Sequence, residues 1–389
     1  MGDETADHSN DAALPGEAGG RLFGPRCERS LDAAPARGND RGMDNTPPRV
    51  GIWALVHGSR AARQDPEEPF DASWARNRAL VLEAEALGFD STLVAQHTFN
   101  PLNPANGELE AWSASAALAA LTSRIEIIAA IKPLLYNPVV LAKMALQIEE
   151  ISGGRFAINL VNAWNKAEMD KAGLPFPAHD DRYTLGDEWL SIVAPLMRGE
   201  TVHHKGQHFT VDGATLVPGA ATRARPRIYI GGESQPARAL AAAQGDVWFI
   251  NGQPIEDVKA LIADVAGRPR RDAALRYGLS AFVIARKTEE EAQAAYDRLA
   301  RLAALDAPMV AQQAAHTDPN VVMKHTMAKS DRLGTNGGTA AGLVGTYAQV
   351  AERMKRFHEA GIETFMLQYQ PFEAEMRRFA AEVMPLVRR

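Results

Sequence analysis

Eight short apolar runs, each followed by a stretch with helical periodicity, dominate the sequence from residue 49 onward. The runs are continuous rather than alternating, which is typical of strands that are buried on both faces and lie in a parallel sheet covered by helices. They are VGIWALV (50–56), STLVA (91–95), IEIIAAI (125–131), FAINLV (156–161), RIYIG (227–231), DVWFI (246–250), LSAFVIA (279–285) and TFMLQ (364–368).

The intervening stretches have the pattern of amphipathic helices. In 74–87 and 346–360 apolar residues recur at i, i+3 and i+4, and Gly88 and Gly361 follow as the usual C-terminal stops. Eight such strand–helix units over about 340 residues predict a (β/α)₈ barrel of the TIM type with insertions. An open doubly wound sheet is the structural alternative, but no Gly-x-Gly-x-x-Gly follows the first run.

Two segments interrupt the repeat. TVHHKGQHFTVDGATLVPGA (201–220) predicts a short hairpin outside the barrel. The segment 306–342 is long and ends in the Gly/Thr-rich GTNGGTAAG, and long insertions in compact domains are commonly functional. We therefore predict that 306–342 forms a lid over the barrel mouth.

Composition limits both the domain organisation and the class of function. Residues 1–47 are rich in Gly, Pro, Asp, Arg and Ala, which predicts a disordered tail before a barrel domain at 48–389, with Met43 a candidate for the natural start. The net charge of −6 argues against a nucleic-acid partner, and no apolar run approaches the roughly 18–20 residues of a membrane span. A single cysteine, Cys27, excludes intrachain disulfides and fits a reducing cytoplasm.

Polar residues follow several of the apolar runs at the point where each run ends. Gln96 and His97 follow the second, Lys132 the third, Asn162 the fourth and Tyr369 the eighth. In a barrel these strand ends converge on one rim, where catalytic residues collect. Each residue alone could instead have a purely structural role. His97 could be a hydrogen-bonded loop histidine, Lys132 a solvent-facing lysine, and Tyr369 a core residue whose hydroxyl contacts water.

The segment YIGGES (229–234) indicates an anion site. Gly231 and Gly232 allow a ligand to approach the backbone closely, and Ser234 stands at the start of the next helix. The free N–H groups and the positive dipole end of a helix N-terminus favour a phosphate. A plain N-cap role for Ser234 is the alternative.

Several motifs together resemble one known family. ISGGRFAINLVNAW, HDDRY, YIGGES and the hairpin VHHKGQHFTV are similar to those of the bacterial-luciferase-like, flavin-dependent monooxygenases, nearest to the alkanesulfonate, dimethylsulfone and pyrimidine enzymes. NGQPIEDVKA (251–260), AFVIARKTEEEA (281–292) and LVGTYAQVAERM (343–354) extend the likeness in collinear order over residues 49–388.

The resemblance implies a (β/α)₈ barrel that binds reduced FMN, which a separate NAD(P)H-dependent flavin reductase supplies. One oxygen atom of O₂ would enter a small organic substrate and the other would leave as water, in a protein that forms dimers or tetramers. His97 is the candidate for proton transfer, and Lys132 and Tyr369 are candidates for stabilising negative charge on the flavin or the substrate. The residues matched to flavin contacts are Gln96, His97, Asn159, Asn162, Glu168, Arg182, Tyr183, Gly232 and Ser234.

The chain departs from the family pattern near the expected substrate. Asn162 and Ala163 replace a Thr–Gly pair, and Ser280 and Phe282 stand where sulfonate enzymes carry Arg and His, although Lys132 stands where they carry another arginine. The sequence therefore leaves open a sulfone, a sulfonate, a thioether or an N-heterocycle as the substrate, with an organosulfur compound favoured.

Two other functions of the superfamily stay open, a deazaflavin-dependent hydride transfer without oxygen chemistry and non-catalytic flavin binding. The histidines of the hairpin, His203, His204 and His208, raise zinc binding as a further possibility. We expect no metal there, because the matching hairpin of the resembled family is not a metal site.

Overall fold

Eight parallel strands close into a barrel in a computed structural model that describes residues 46–58, 61–101, 103, 105–270, 274–315 and 333–389. Around the barrel the order is β1, β2, β3, β4, β7, β8, β9 and β12, and β12 pairs with β1 to close it. The barrel strands are β1 (Arg49–Trp53), β2 (Ser91–Val94), β3 (Glu126–Ile131), β4 (Phe156–Leu160), β7 (Arg227–Gly231), β8 (Val247–Ile250), β9 (Arg276–Phe282) and β12 (Ile362–Gln368). The predicted (β/α)₈ barrel is confirmed.

Helices cover the outside of the barrel and connect its strands. They are α1 (Trp74–Ala86), α2 (Ala111–Leu121), α3 (Pro138–Ser152), α4 (Lys166–Lys171), α5 (His179–Met197), α6 (Gln235–Gln244), α7 (Ile255–Ala266), α8 (Glu289–Leu305), α9 (Ala307–Ala315), α10 (Tyr347–Glu359), α11 (Phe372–Glu382) and α12 (Met384–Val387). Within the described ranges, no helix has the length and apolar character that crossing a membrane requires.

Local signals explain where the helices begin and end. The side chain of Ser73 accepts a hydrogen bond from the Arg76 amide and caps α1, while Thr346 forms a capping box with Gln349 at the start of α10. Gly88 and Gly361 follow these two helices with φ of +90° and +107°, a conformation that favours glycine. The two helices predicted at 74–87 and 346–360 are thereby confirmed.

Strand side chains alternate between the barrel interior and the surrounding helices. The interior holds a small apolar cluster with Trp53 packed against it, and the members of the cluster are Leu93, Ile128, Ala157, Tyr229, Val247, Phe249 and Met366. The neighbouring strand residues, such as Ile127, Ile131 and Ile158, belong to a larger cluster between strands and helices. Continuing this alternation past Ile131 places Lys132 on the interior side, at the carboxyl end of the barrel.

The hairpin predicted at 201–220 is confirmed: β5 (Val202–Lys205) and β6 (Thr210–Ala214) form an antiparallel pair outside the barrel. The structure divides the predicted seventh strand, 279–285, into two. The Val283 amide still donates to the Gln368 carbonyl of β12, but the Ile284 amide donates to the Leu343 carbonyl instead. Strand β10 (Ile284–Arg286) therefore leaves the barrel and pairs with β11 (Val344–Thr346).

Both ends of the predicted lid are described. Helix α9 lies at the start of the predicted lid. The last residues of the lid pack against the loop after β8, where the Gly252 amide donates to the Asn336 carbonyl. A Cβ on Gly337 would lie 2.1 Å from the Gly252 carbonyl oxygen, so this contact requires glycine. The middle of the predicted lid, 316–332, and the predicted tail up to residue 45 lie outside the described residues, and both predictions stay predictions.

Candidate active site

A buried ionic network lies at the carboxyl end of the barrel. Lys132 Nζ lies 2.7 Å from both carboxylate oxygens of Glu168, and His97 Nδ1 lies 3.2 Å from one of them. The Thr98 amide donates to the same carboxylate at 2.7 Å. All three charged or titratable side chains are at least nine-tenths buried. We call Glu168, Lys132 and His97 the mouth network.

The elements that carry the mouth network explain why it forms. Lys132 directly follows β3, His97 lies in the loop after β2, and Glu168 is in the first turn of α4, where Asn165 is the N-cap. Gln96 fixes the backbone between them, because its side-chain oxygen accepts from the Lys132 amide at 2.8 Å. The sequence placed Gln96, His97, Lys132 and Glu168 in one site, and the structure brings them together.

The charge of Glu168 is set by its neighbours. Burial by itself would raise the pKa of this carboxyl, but the hydrogen bond from His97 and the positive charge of Lys132 outweigh burial and lower the pKa to about 2. The carboxylate is therefore ionised throughout the physiological range. The mouth thus contains a permanent negative charge that two groups able to carry a proton both contact.

Several barrel strands carry, at or near their carboxyl ends, a buried polar atom without a hydrogen-bond partner. Within the described residues these atoms include Asn159 Oδ1, both amide atoms of Asn162, Ser280 Oγ and Trp53 Nε1. Buried polar groups are nearly always hydrogen-bonded in native proteins, so an unpaired one at a strand end marks a position where a bound ligand would supply the missing partner. The predicted contacts Asn159 and Asn162 both belong to this set.

Asn162 also shows how the chain accommodates its departure from the family pattern. A Cβ on Gly186 of α5 would lie 2.4 Å from the Asn162 amide oxygen, so the missing side chain of Gly186 makes room for Asn162. The adjacent Ala163 has a φ of +21°, in a region that non-glycine residues rarely adopt. The position that carries glycine in the resembled family is thus a strained position here.

The loop after β7 forms a small cradle. Gly232 has a φ of +112°, and a Cβ there would lie 3.2 Å from the Tyr183 hydroxyl, which stands against the loop. The Trp248 indole Nε1–H donates a hydrogen bond to the Gly232 carbonyl at 2.8 Å. The structure gives Ser234 the N-cap role, because its hydroxyl accepts from the Ala237 amide at 3.4 Å. That hydroxyl keeps its own hydrogen for donation to a ligand.

Glu233, in the same loop, is a titratable group that the sequence analysis missed. Its carboxyl is buried and accepts hydrogen bonds from the Asn251 amide at 2.8 Å and the Gln253 side chain at 2.9 Å. Burial raises its pKa to about 7. Beside a cradle suited to an anion, this carboxyl is partly neutral at physiological pH.

Two predicted site residues lie apart from the mouth network. Arg182 is buried and donates to the Pro177 carbonyl at 2.7 Å, with its guanidinium 4.1 Å above the Phe176 ring. Tyr369 packs edge-on against Phe372, with ring centroids 5.4 Å apart, in the cluster between strands and helices. Burial, together with the charge of Glu375, raises the pKa of Tyr369 well above its usual value.

A second histidine–glutamate pair, which was not among the predicted site residues, lies beside the first. His57 Nδ1 is 3.8 Å from Glu108 Oε1, both side chains are buried, and the His57 and His97 rings meet edge to face at 5.9 Å. His57 comes directly after the first apolar run, just as His97 follows the second. The same rule applied to every run would have found it.

The hairpin histidines pair with acidic side chains. His203 lies 3.1 Å from Asp212, and His204 lies 3.0 Å from Glu188, which also accepts from the Gln207, His208 and Phe209 amides. In the part of the chain that the structure describes, no group of three or more His, Cys, Asp and Glu residues is arranged to hold a metal ion.

Comparison with known proteins identifies the family. The model of the luciferase-like monooxygenase family matches residues 49–364. A protein of Pseudomonas putida named FMNH₂-dependent dimethylsulfone monooxygenase is 32% identical over 332 residues, which is 80% of this chain and 87% of that protein. A protein with the same name from Pseudomonas fluorescens (strain Pf0-1) is 32% identical over 320 residues, 80% of this chain and 86% of that one.

Among solved structures, a long-chain alkane monooxygenase superposes with a TM-score of 0.71 at 19% identity, covering 87% of this chain and 90% of that one. DmoA from Hyphomicrobium sulfonivorans superposes with a TM-score of 0.69 at 20% identity, covering 88% of each chain. These likenesses bear on the fold and agree with the closed barrel. With the family model matched over most of the barrel, the chain belongs to the luciferase-like monooxygenase family.

Proposed function

We propose that this protein is a two-component, FMNH₂-dependent monooxygenase that transfers one oxygen atom of O₂ to a small, uncharged organosulfur compound of the sulfone class. The observation that carries the proposal is the 32% identity, over four-fifths of the chain, to proteins named FMNH₂-dependent dimethylsulfone monooxygenase. The mouth network and the unpaired polar atoms around it supply a site in which such a reaction can take place.

The residues at the barrel mouth fit a flavin mononucleotide. The cradle at Gly232, with the Tyr183 hydroxyl, the Ser234 hydroxyl and the start of α6, suits a phosphate group. The unpaired amide atoms of Asn159 and Asn162 suit a ring whose edge carries both hydrogen-bond donors and acceptors. When bound, reduced FMN supplies the electrons that the reaction of O₂ with an organic substrate requires.

The protein side chains orient the reactants and handle protons. His97 is placed to hold a proton at its ring nitrogens while Glu168 fixes the orientation of the ring through Nδ1. Lys132 keeps Glu168 ionised, so the network holds its arrangement over a wide pH range. We assign the cofactor contacts to Gln96, Asn159, Asn162, Tyr183, Gly232 and Ser234. We assign no cofactor contact to Arg182, which stacks on Phe176, or to Tyr369, which packs against Phe372.

The charges at the mouth favour an uncharged substrate. Lys132 stands where sulfonate enzymes carry an arginine, but both oxygens of Glu168 already bind its ammonium group. The two strand-seven positions are occupied by Ser280 and Phe282, neither of which carries the positive charge that would neutralise a permanent anion. Within the described residues, a sulfone or thioether therefore suits the mouth better than a sulfonate does.

The proposal also implies partners. A separate NAD(P)H-dependent flavin reductase would supply FMNH₂, and the protein would work as a homodimer or homotetramer in the cytoplasm. In the scheme that we propose, FMNH₂ passes between the two proteins by free diffusion, so a stable complex with the reductase is not needed. Any generic flavin reductase therefore serves in the assay.

The test is turnover under ¹⁸O₂ with FMN, NADH and a generic flavin reductase. Dimethylsulfone, methanesulfonate, dimethyl sulfide and pyridine are supplied separately, and products are scored by mass spectrometry. We expect one ¹⁸O atom per product molecule, with dimethylsulfone turned over fastest and methanesulfonate slowest. If anaerobic titration shows no FMNH₂ binding in the micromolar range, or if a reduced deazaflavin supports substrate reduction without label, the proposal is wrong.

A further inference from the structure

The segment after β1 carries a histidine that the proposed proton handling at His97 does not use. His57 follows Trp53 by one tight turn, in which the Gly58 amide bonds to the Leu55 carbonyl at 3.1 Å. The indole N–H of Trp53 is buried and lacks a partner in the described residues. The His57 ring meets the His97 ring of the mouth network edge to face, with the ring centroids 5.9 Å apart. His57 therefore lies beside the mouth network.

The segment that carries Glu108 is bonded to the turn that carries His57. Asn100 donates from one amide nitrogen to the His57 carbonyl at 3.3 Å and to the Gly107 carbonyl at 3.0 Å, and the Leu109 amide donates to the Val56 carbonyl at 2.9 Å. These bonds hold the two residues in register at the 3.8 Å distance between their side chains. An ionised carboxylate at this distance would favour the protonated form of the imidazole that it faces.

The two histidines influence each other directly. Their ring centroids are 5.9 Å apart, and within the described residues the charged groups beside them include Glu108 on one side and Glu168 with Lys132 on the other. At such a distance in a buried site, two protonated imidazoles repel each other appreciably. Gain of a proton by one ring therefore favours its loss from the other.

We propose that His57, held by Glu108, is a second acid–base residue of this site, and that the two histidine–glutamate pairs divide the proton handling of the oxygenation between them. This inference rests on the proposed function. In the overall reaction FMNH₂, O₂ and substrate give FMN, oxygenated substrate and water. Two electrons and two hydrogens leave the reduced flavin, one oxygen atom joins the substrate, and the other takes both hydrogens as water.

No net proton comes from the protein in this balance. A histidine that donates a proton to the departing oxygen must therefore recover one that the cofactor releases. Two neighbouring histidines that alternate in protonation can do both without a proton from bulk water. The pair Glu108 and His57 supplies the second position, because His97 alone can hold only one of the two protons at a time.

The first test is an NMR titration of the histidine ring signals in the flavin-free protein, with His57→Gln and His97→Gln used for assignment. We expect Glu108→Gln to lower the pKa of His57 by about one unit, and His57→Gln to raise that of His97. His203→Gln, which removes an exposed hairpin histidine, is the matched control and should leave both unchanged. If neither shift occurs, the two pairs are not coupled and the inference fails, whatever the substrate of the enzyme.

The second test is turnover. We expect His57→Gln to lower kcat for oxygenated product about 10²-fold, to raise the share of O₂ released as hydrogen peroxide, and to leave the Kd for FMNH₂ within about twofold. Glu108→Gln keeps the imidazole and should shift the pH profile of kcat to lower pH, which serves as the readout if His57→Gln does not fold. Wild-type kcat and pH profile in both variants would overturn the inference. Failure of the wild-type protein itself to oxygenate any substrate would instead count against the proposed function.

Discussion

The two ends of the barrel each bury a glutamate among basic side chains. At the amino end, Glu126 at the start of β3 accepts from Arg49 at 2.8 Å, from Arg227 at 2.9 Å and from the Tyr229 hydroxyl at 3.0 Å. At the carboxyl end, Glu168 is held by Lys132 and His97. Burial opposes ionisation at both sites, and in both the attached positive groups lower the pKa of the carboxyl below its usual value.

The partners of the two glutamates differ in kind. Arginine stays protonated at every pH at which a protein is folded, so Arg49 and Arg227 are fixed charges that tie strand ends together. Lysine and histidine can release a proton, and unpaired buried polar atoms occur at the carboxyl end of the adjacent β4, at Asn159 and Asn162. A buried carboxylate thus ties strand ends together at one end of this barrel, and at the other end it belongs to the reaction site that we propose. The two carboxylates differ in whether their basic partners can release a proton.

The largest effect that we expect comes from removing both charges of the mouth network. Lys132→Met combined with Glu168→Gln should lower kcat about 10²–10⁴-fold, because His97 loses the carboxylate that orients it. The free energy of unfolding should change by less than about 2 kcal/mol, since a buried ion pair replaced as a whole leaves no isolated charge. Steady-state turnover and urea unfolding measure the two quantities. Retained turnover would show that the mouth network only stabilises the structure, as Glu126 does.

The amino end should give the opposite result. Glu126→Gln leaves two arginines facing each other without a carboxylate, and it should lower the free energy of unfolding by about 3 kcal/mol. Both arginines are about one-third exposed, so solvent limits the cost. Turnover per folded molecule should stay within about twofold of wild type at a temperature well below the unfolding transition. A tenfold loss of kcat in a fully folded Glu126→Gln variant would show that the amino end of the barrel also contributes to turnover.

Glu233 is a buried carboxyl at the mouth that, unlike Glu168, has no cation bonded to it in the described residues. Its pKa is about 7 in the folded protein against about 4.5 unfolded, so the folded state holds the proton more tightly and stability is lost as pH rises from about 4.5 to 7. Glu233→Gln keeps the acceptor oxygen and removes the ionisation. We expect it to raise the free energy of unfolding by about 1–2 kcal/mol at pH 8 and to leave it unchanged at pH 4.

Urea unfolding at the two pH values measures this effect. Glu373→Gln is a suitable control, because the pKa of that carboxyl is lowered through its hydrogen bond with Arg76 despite burial, and its removal should destabilise at pH 8. An equal effect of Glu233→Gln at pH 4 and pH 8 would show that the group does not titrate between them.

The barrel was predictable because periodicity alone carries it. Continuous apolar runs define strands buried on both faces, and the observed bounds of β2, β4 and β7 differ from the runs by no more than one residue. The exit of β10 from the barrel was not predictable in this way. Residues 284 and 285 are as apolar as the strand before them, and only the positions of Gln368 and Leu343 in space decide which partner the chain takes.

The site was predictable where a polar residue directly follows a buried run, as Lys132 and His97 do. The contribution of Glu168 to this site came from the family resemblance, because α4 is short and no local pattern connects it to Lys132. Tyr369 obeys the strand-end rule and still lies on the helix side, since strand alternation puts it on the same face as Phe365 and Leu367. The rule identifies a rim position but not the direction in which its side chain points.

The smallest expected effect separates capping from ligand binding. Ser234 and Ser73 are both N-cap residues, with hydroxyls that accept from the amide three residues ahead at 3.4 Å and 3.2 Å. Each serine-to-alanine change should cost about 1 kcal/mol of unfolding free energy. Only Ser234→Ala should also weaken FMNH₂, by about tenfold in anaerobic titration, because Ser73 lies at the start of α1 and away from the cradle. Ser234→Asp should weaken it further, since a carboxylate would repel the phosphate, and equal FMNH₂ affinity in all four proteins would show that the cradle at Gly232 holds no anion.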